Sequence, residues 1–230
     1  VKRLAIIGWE EGIAGQLISW IHELDKFEVV CFVHPYPDHP IIDETVALNR
    51  PATQFSFPKN GFYLEKPLIY GFDWKKKLES LKIEDVVITN SNVQERHHIK
   101  NQITESGYIF ESVIHPSAQI LNERIIGKGC IIEPLTYIGY RAEIGDFVHL
   151  HVGAKIDHQS VIQSFVNVLP GSTIAGNSLI GKFSTINMGA IIANRVEIGE
   201  NCIVGAGSVV LKSFPAPNQK LLGSPAKAFT

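Results

Sequence analysis

The sequence predicts an α/β N-terminal domain with a Rossmann-like parallel sheet, followed by a parallel β-helix. Two observations predict it. From Ile114 to Val210 every sixth residue is Ile, Leu or Val, with no insertion to break the phase. Ahead of that run, buried-strand patterns alternate with amphipathic helix patterns, as in sheets built from strand–helix–strand units.

The elements follow in order. Arg-Leu-Ala-Ile-Ile-Gly at 3–8 reads as a buried strand ending in glycine. Gly12 to Leu24 reads as a helix with Ile13, Leu17, Ile18 and Ile21 on one face. Phe27–Val33 is a second buried strand, Pro67–Tyr70 a third, Trp74–Leu81 a helix and Asp85–Thr89 a strand. Asn92 is placed to cap a helix running to about Ser106, and Ile109–Val113 supplies a last strand. A parallel sheet of this kind takes ligands at the C-terminal ends of its strands.

The segment Gly8-Trp-Glu-Glu-Gly12-Ile-Ala-Gly15 is glycine-rich between strand and helix, so its amides can face a phosphate. It is not the GxGxxG pattern, and Glu10 and Glu11 would repel a phosphate held close by. No acidic residue ends the second strand, where His34-Pro35 stands, so a dinucleotide site of the NAD type is not expected. Residues 36–66 are rich in proline and aromatic side chains with little periodicity. Such a loop either walls an acceptor pocket or is a surface excursion.

A period of six fits neither an α-helix nor a hairpin sheet. It fits a solenoid with three short strands per turn, each turning one aliphatic inward. Eighteen residues then make one coil, so 114–210 forms about five coils. Glycine follows the aliphatic at Gly127, Gly139, Gly145, Gly181, Gly199 and Gly205, where either an unusual φ or a lack of room demands it.

Hydrophobic content of 45% and 19% charged residues suit a folded globular chain. A formal charge of −2 gives no footprint for nucleic acid or an anionic membrane. Cys31, Cys130 and Cys202 are far apart and odd in number, which argues against a disulfide framework and fits the cytoplasm. The apolar runs are too short for a transmembrane helix or a signal peptide.

Val86–Arg96 (VVITNSNVQER), Val113-Ile-His-Pro-Ser-Ala118, the hexapeptides, Asp157-His158, Gly171–Gly176 and Gly223-Ser-Pro-Ala-Lys227 together carry a resemblance. The chain resembles the hexapeptide acyltransferases typified by sialic acid O-acetyltransferases and the N-acetyltransferases of bacillosamine and perosamine synthesis. The resemblance implies a left-handed β-helix and a homotrimer with active sites where adjacent β-helices meet. It implies a nucleotide-sugar-binding domain over 1–112, with Gly8, Glu10, Glu11, Gly12, His34 and Pro35 as its candidate contacts. Residues 113–230 then form an acyltransferase domain with a C-terminal tail, using acetyl-CoA in surface-glycan synthesis.

His158 matches the catalytic histidine of that family. As general base it would take a proton from the acceptor while that atom attacks the thioester, with a backbone amide stabilising the oxyanion. The family's usual acidic residue after it is here Gln159, which can orient an imidazole but adds no charge. Asn167 stands where close relatives carry another histidine. His149, one coil below Asn167, can substitute for it, and Asp157 can supply part of the missing carboxylate. By the same correspondence Asn167, Gly176, Met188 and Ala206 flank the acetyl-pantetheine arm. Lys227 meets CoA phosphates or is an exposed tail lysine.

His115 and His151 lie two coils apart, the spacing of two zinc ligands in β-helical carbonic anhydrases. The third ligand would fall at Ile156, which points inward, so no metal is expected. Adjacent His97 and His98 read as solvent-facing. The reading is an acetyl-CoA-dependent N-acetyltransferase of a nucleotide-linked amino sugar. O-acetylation of a sugar such as sialic acid, and a non-catalytic trimeric nucleotide-sugar-binding scaffold, stay open beside it.

Overall fold

A computed structural model of the chain describes residues 1–9, 11–36 and 61–229. It divides into two compact units, 1–90 with 103–109 and 91–102 with 110–230.

The first unit starts with β1 (Lys2–Ile7), α1 (Glu11–Ile21) and β2 (Phe27–His34). It continues through β3 (Phe62–Tyr63), β4 (Lys66–Tyr70), α2 (Trp74–Ser80) and β5 (Asp85–Ile88) to β6 (Ile109–Phe110). The sheet order is β3-β4-β2-β1-β5-β6, with β1 parallel to both β2 and β5 and β4 parallel to β2. Strand order reverses between β1 and β5, which opens a crevice at their carboxyl ends. Leu4–Ile7 of β1 and Val86–Ile88 of β5 are apolar without alternation because both faces of a parallel sheet are covered. The helical face differs from the sequence expectation. Ala14, Leu17, Trp20 and Ile21 are the buried residues of α1, and Ile13 and Ile18 are only half-buried. The indole of Trp20 offers more apolar surface than either isoleucine, and its burial rotates the helix by about one residue. Of the predicted 36–66 loop, 37–60 lies outside the described residues, while β3 and β4 form an antiparallel hairpin at its end.

The second unit begins with α3 (Val93–Ile103), capped by Asn92, whose Oδ1 accepts from the N–H groups of Gln94 and Glu95 at 2.9 and 3.1 Å. Two-residue strands then recur every six residues from β7 (Val113–Ile114) to β23 (Val209–Val210). They stack into three parallel sheets in strict eighteen-residue register, as in Ile131↔His149 and His149↔Asn167. The first face carries the strands at 113, 131, 149, 167, 185 and 203, the second begins at 119, and the third at 125. β24 (Lys220–Gly223) extends the first face and β25 (Ala226–Phe229) folds back on it.

The aliphatic row fills the interior and is fully buried from Ile132 onward. A second row completes the core four residues after the aliphatics, with buried small or medium side chains from Cys130 to Ser208. Ser160, Ser172, Ser178 and Ser184 of this row donate to carbonyls fifteen residues on, as in Ser172 to Asn187 at 2.7 Å and Ser184 to Gly199 at 2.9 Å. The glycines after the aliphatics owe their place to lack of room. A Cβ on Gly139 would lie 2.7 Å from the backbone nitrogen of His158, and one on Gly145 2.6 Å from that of Ser164. The left-handed φ falls instead two residues later, at every sixth position from Glu123 to Gly207.

Candidate functional site

His158 and Gly176 occupy one corner row, between the second and third faces. Asp157 Oδ1 accepts from the backbone N–H of His158 at 2.7 Å and so caps the turn. Gln159, left-handed at φ 57°, places its Oε1 3.3 Å from His158 Nδ1. In the tautomer that donates from Nδ1 to that oxygen, the lone pair is on Nε2. That lone pair is 4.0 Å from Asp157 Oδ2. The ring rests on Gly176 so closely that a Cβ there would come within 2.6 Å of both Cε1 and Nε2. The N–H of Gly176 donates to no group among the described residues. A half-exposed imidazole with a free Nε2 thus stands beside an unused backbone donor.

Met188 and Ala206 belong to the neighbouring corner row, between the first and second faces. Val152, Pro170, Met188 and Ala206 stack there, joined by bonds from the Gly171, Gly189 and Gly207 amides to the carbonyls one coil below, at 3.1, 3.0 and 2.9 Å. Met188 is 55% exposed. The chain therefore separates two sets that the sequence reading grouped: His158 with Gly176, and Met188 with Ala206. Lys227 is exposed on β25, opposite Leu222.

Asn167 lies on the first face directly above His149. Its amide is engaged at both ends, donating to the Ser91 carbonyl at 2.7 Å and accepting from Arg96 at 2.6 Å. It is 5% exposed and ties the start of α3 to the β-helix. His97 also serves that docking, edge-on to Phe165 and Phe183, so of the histidine pair only His98 is exposed.

Beneath Asn167 lies a cluster the sequence reading did not assemble. Glu133 Oε1 accepts from His149 Nε2 at 2.7 Å and faces His151 Nδ1 at 3.4 Å, while Oε2 accepts from the Val152 N–H at 3.0 Å. Burial pushes His149 and His151 down to about 3, and the Arg96 charge acts in the same direction. Burial also raises the Glu133 carboxyl. Ligand atoms of the three lie within 4.8 Å of one another. The two rings, however, stack at 3.7 Å with planes 22° apart. Both rings still turn one nitrogen toward the same Glu133 oxygen, at 2.7 and 3.4 Å.

In the first unit Gly8, at φ 86°, ends β1, and its carbonyl accepts from Thr89 Oγ1 at 3.0 Å. A Cβ on Gly8 would lie 2.9 Å from that of Asn90. Gly12 faces open space in α1, Glu11 opens that helix, and Glu10 lies outside the described residues. His34 ends β2, stacked on Tyr70 at 5.2 Å, with Pro35 buried after it. Trp9, missed in the sequence, is buried between His34 and Tyr63, and its Nε1 has no partner among the described residues. Its neighbours come from β2 and β3, which chain spacing does not reveal.

No cysteine is set up as a nucleophile. All three are buried, and burial pushes Cys31 to about 12 and Cys130 to about 11. Among the described residues no helix is long and apolar enough to cross a membrane.

The bacterial transferase hexapeptide family model matches residues 177–212. No curated protein matches the sequence. Among solved structures, a variant of GDP-perosamine N-acetyltransferase from Caulobacter crescentus, with CoA and GDP-perosamine, is 21% identical with a TM-score of 0.82, covering 100% of this chain and 98% of that one. The acetyltransferase domain of PglB from Neisseria gonorrhoeae, with acetyl coenzyme A, is 23% identical over 99% of both chains, with a TM-score of 0.81. WeeI from Acinetobacter baumannii is 21% identical over 100% of both, with a TM-score of 0.78. The fold is thus the expected one: an α/β parallel-sheet region followed by a left-handed parallel β-helix of hexapeptide repeats.

Proposed function

We propose that this chain is an acetyl-CoA-dependent acetyltransferase acting on an amino group of a nucleotide-linked sugar in surface-glycan synthesis. The observation that carries this reading is the pairing of His158 Nε2 with the unused Gly176 N–H on a hexapeptide β-helix. His158 takes the proton of the attacking amine at Nε2, with Gln159 holding the opposite nitrogen. The Gly176 N–H donates to the carbonyl oxygen as negative charge develops there. The amine nitrogen bonds to the acetyl carbon, the carbon–sulfur bond breaks, and the proton passes on to the leaving thiolate. That two of the similar structures hold CoA or acetyl-CoA, and one of these GDP-perosamine, supports the choice of donor and acceptor class.

Met188 and Ala206 bind the donor along their row, Lys227 on β25 meets its phosphates, and Asn167 acts through its hold on Arg96 and Ser91. Because that row and His158 lie on different corners of one β-helix, the complete site is assembled between neighbouring copies, in a homotrimer. The open end of the sheet at Gly8, Gly12, His34 and Pro35 receives the nucleotide. Buried free thiols suit a cytoplasmic enzyme.

The test is release of CoA from acetyl-CoA with a panel of UDP-, GDP- and dTDP-linked amino sugars. Turnover is expected with at least one, and His158→Ala should lower kcat by about 100- to 10,000-fold. Turnover undiminished in that variant would remove His158 as the base, and none with any amine acceptor would remove the reading.

A further inference from the structure

We propose that His151 is a donor-positioning residue, a neutral hydrogen-bond acceptor for an amide N–H of the acyl donor's arm. This rests on the acetyl-CoA reading above and adds to it a residue that no sequence correspondence supplies.

The argument starts at Glu133. A carboxylate only accepts hydrogen bonds. Its Oε1 accepts from His149 Nε2 at 2.7 Å, and His151 Nδ1 faces the same oxygen at 3.4 Å, where a proton on that nitrogen suits the negative charge better than a lone pair. The lone pairs are then at Nδ1 of His149 and Nε2 of His151. His149 Nδ1 is sealed in, with no partner among the described residues. The His151 side chain keeps 13% of its surface, against 2% for His149, so it alone can meet a ligand. No group among the described residues is hydrogen-bonded to its Nε2. The stack on His149 at 3.7 Å fixes the plane of the ring.

Position gives the acceptor its ligand. His151 immediately precedes Val152, and the Val152 N–H is itself held by Glu133 Oε2. Val152 is the foot of the row that rises through Pro170 to Met188 and Ala206. An arm lying on that row, with its phosphates toward the C-terminal tail, brings its reactive end down to Val152 and His151. The pantetheine arm carries two amides, each with one N–H to donate. Burial and the neighbouring His149 oppose the imidazolium more than Glu133 favours it, so the ring stays neutral at working pH and accepts at Nε2.

Calorimetric titration of the full-length protein with CoA and with adenosine 3′,5′-bisphosphate tests this. His151→Phe should weaken CoA about tenfold, the net worth of one hydrogen bond with some loss of fit, and leave the bisphosphate, which has no arm, unchanged. His151→Asn, which keeps an acceptor oxygen, should recover most of the loss. Should His151→Phe fail to fold, His151→Ala is read in the same way. CoA binding equal in wild type and variant would overturn the role of His151 while leaving the acetyltransferase reading intact. Equal weakening of CoA and the bisphosphate would overturn it too, since the effect would not lie on the arm. Wild-type protein that binds no CoA would overturn both.

Discussion

His149 and His151 are kept neutral by burial, and that leaves a mark on stability. They titrate at about 3 in the folded chain, against 6.5 for a free imidazole. Between those values the unfolded chain binds more protons than the folded one, so their contribution is complete above 6.5 and is lost as pH falls toward 3. Glu133, raised by burial above 4.5, works in the opposite sense, one group against two. Tm is therefore expected to drop between about pH 7 and about pH 5, and His149→Gln to make that drop shallower. An unchanged slope in the variant would show that these rings are not buried in neutral form. The sequence placed His149 beneath Asn167 because the eighteen-residue period dictates it. It could not show that Asn167 is occupied by Ser91 and Arg96, since α3 docks by tertiary contact alone. His151 was weighed only as a zinc ligand, because Glu133 approaches it across a coil through side-chain rotamers that no period encodes.

At the level of elements, two rows share the six-residue repeat but not its visibility. The aliphatic row is legible because burial selects one chemical class. The left-handed row is not, because Glu123, Leu135, Arg141, Phe147, Gln159 and Asn177 share a φ near 57° and nothing else. This separates the effects of two substitutions. Gly145→Ala sets a Cβ against the next coil and should cost about 1–3 kcal/mol. Arg195→Gly, at φ 60°, relieves a left-handed penalty of about 1–2 kcal/mol against a glycine entropy cost of about 0.5–1 kcal/mol, and should stabilise slightly. Urea unfolding of both variants checks the opposite signs. Gly145→Ala without destabilisation would mean that the corner glycines are not placed by contact between coils, and a destabilised Arg195→Gly would mean that the left-handed φ there costs nothing to relieve. The face of α1 was misjudged for a related reason, since helical spacing counts apolar positions equally and burial favours the largest side chain.

For the molecule as a whole, the separation of His158 from Met188 and Ala206 predicts complementation. Copies carrying His158→Ala and copies carrying Ala206→Phe should each be inactive alone. Co-expressed, they should regain a fraction of wild-type turnover, because mixed assemblies contain sites with both sound halves. Failure of the mixture, with both variants folded and assembled, would place the whole site in one chain. The row from Val152 to Ala206 carries a further consequence. Its steps are set by strand spacing, about 4.8 Å per coil, so three steps measure about 14 Å. The solenoid is thus a ruler graduated in coils, and evolution can lengthen it only by whole turns. Excising eighteen residues between His151 and Met188 would keep every register while removing one graduation. In the proposed reading the shortened protein would offer the donor arm a row one step shorter, with either His158 or Gly176 lost in the excision.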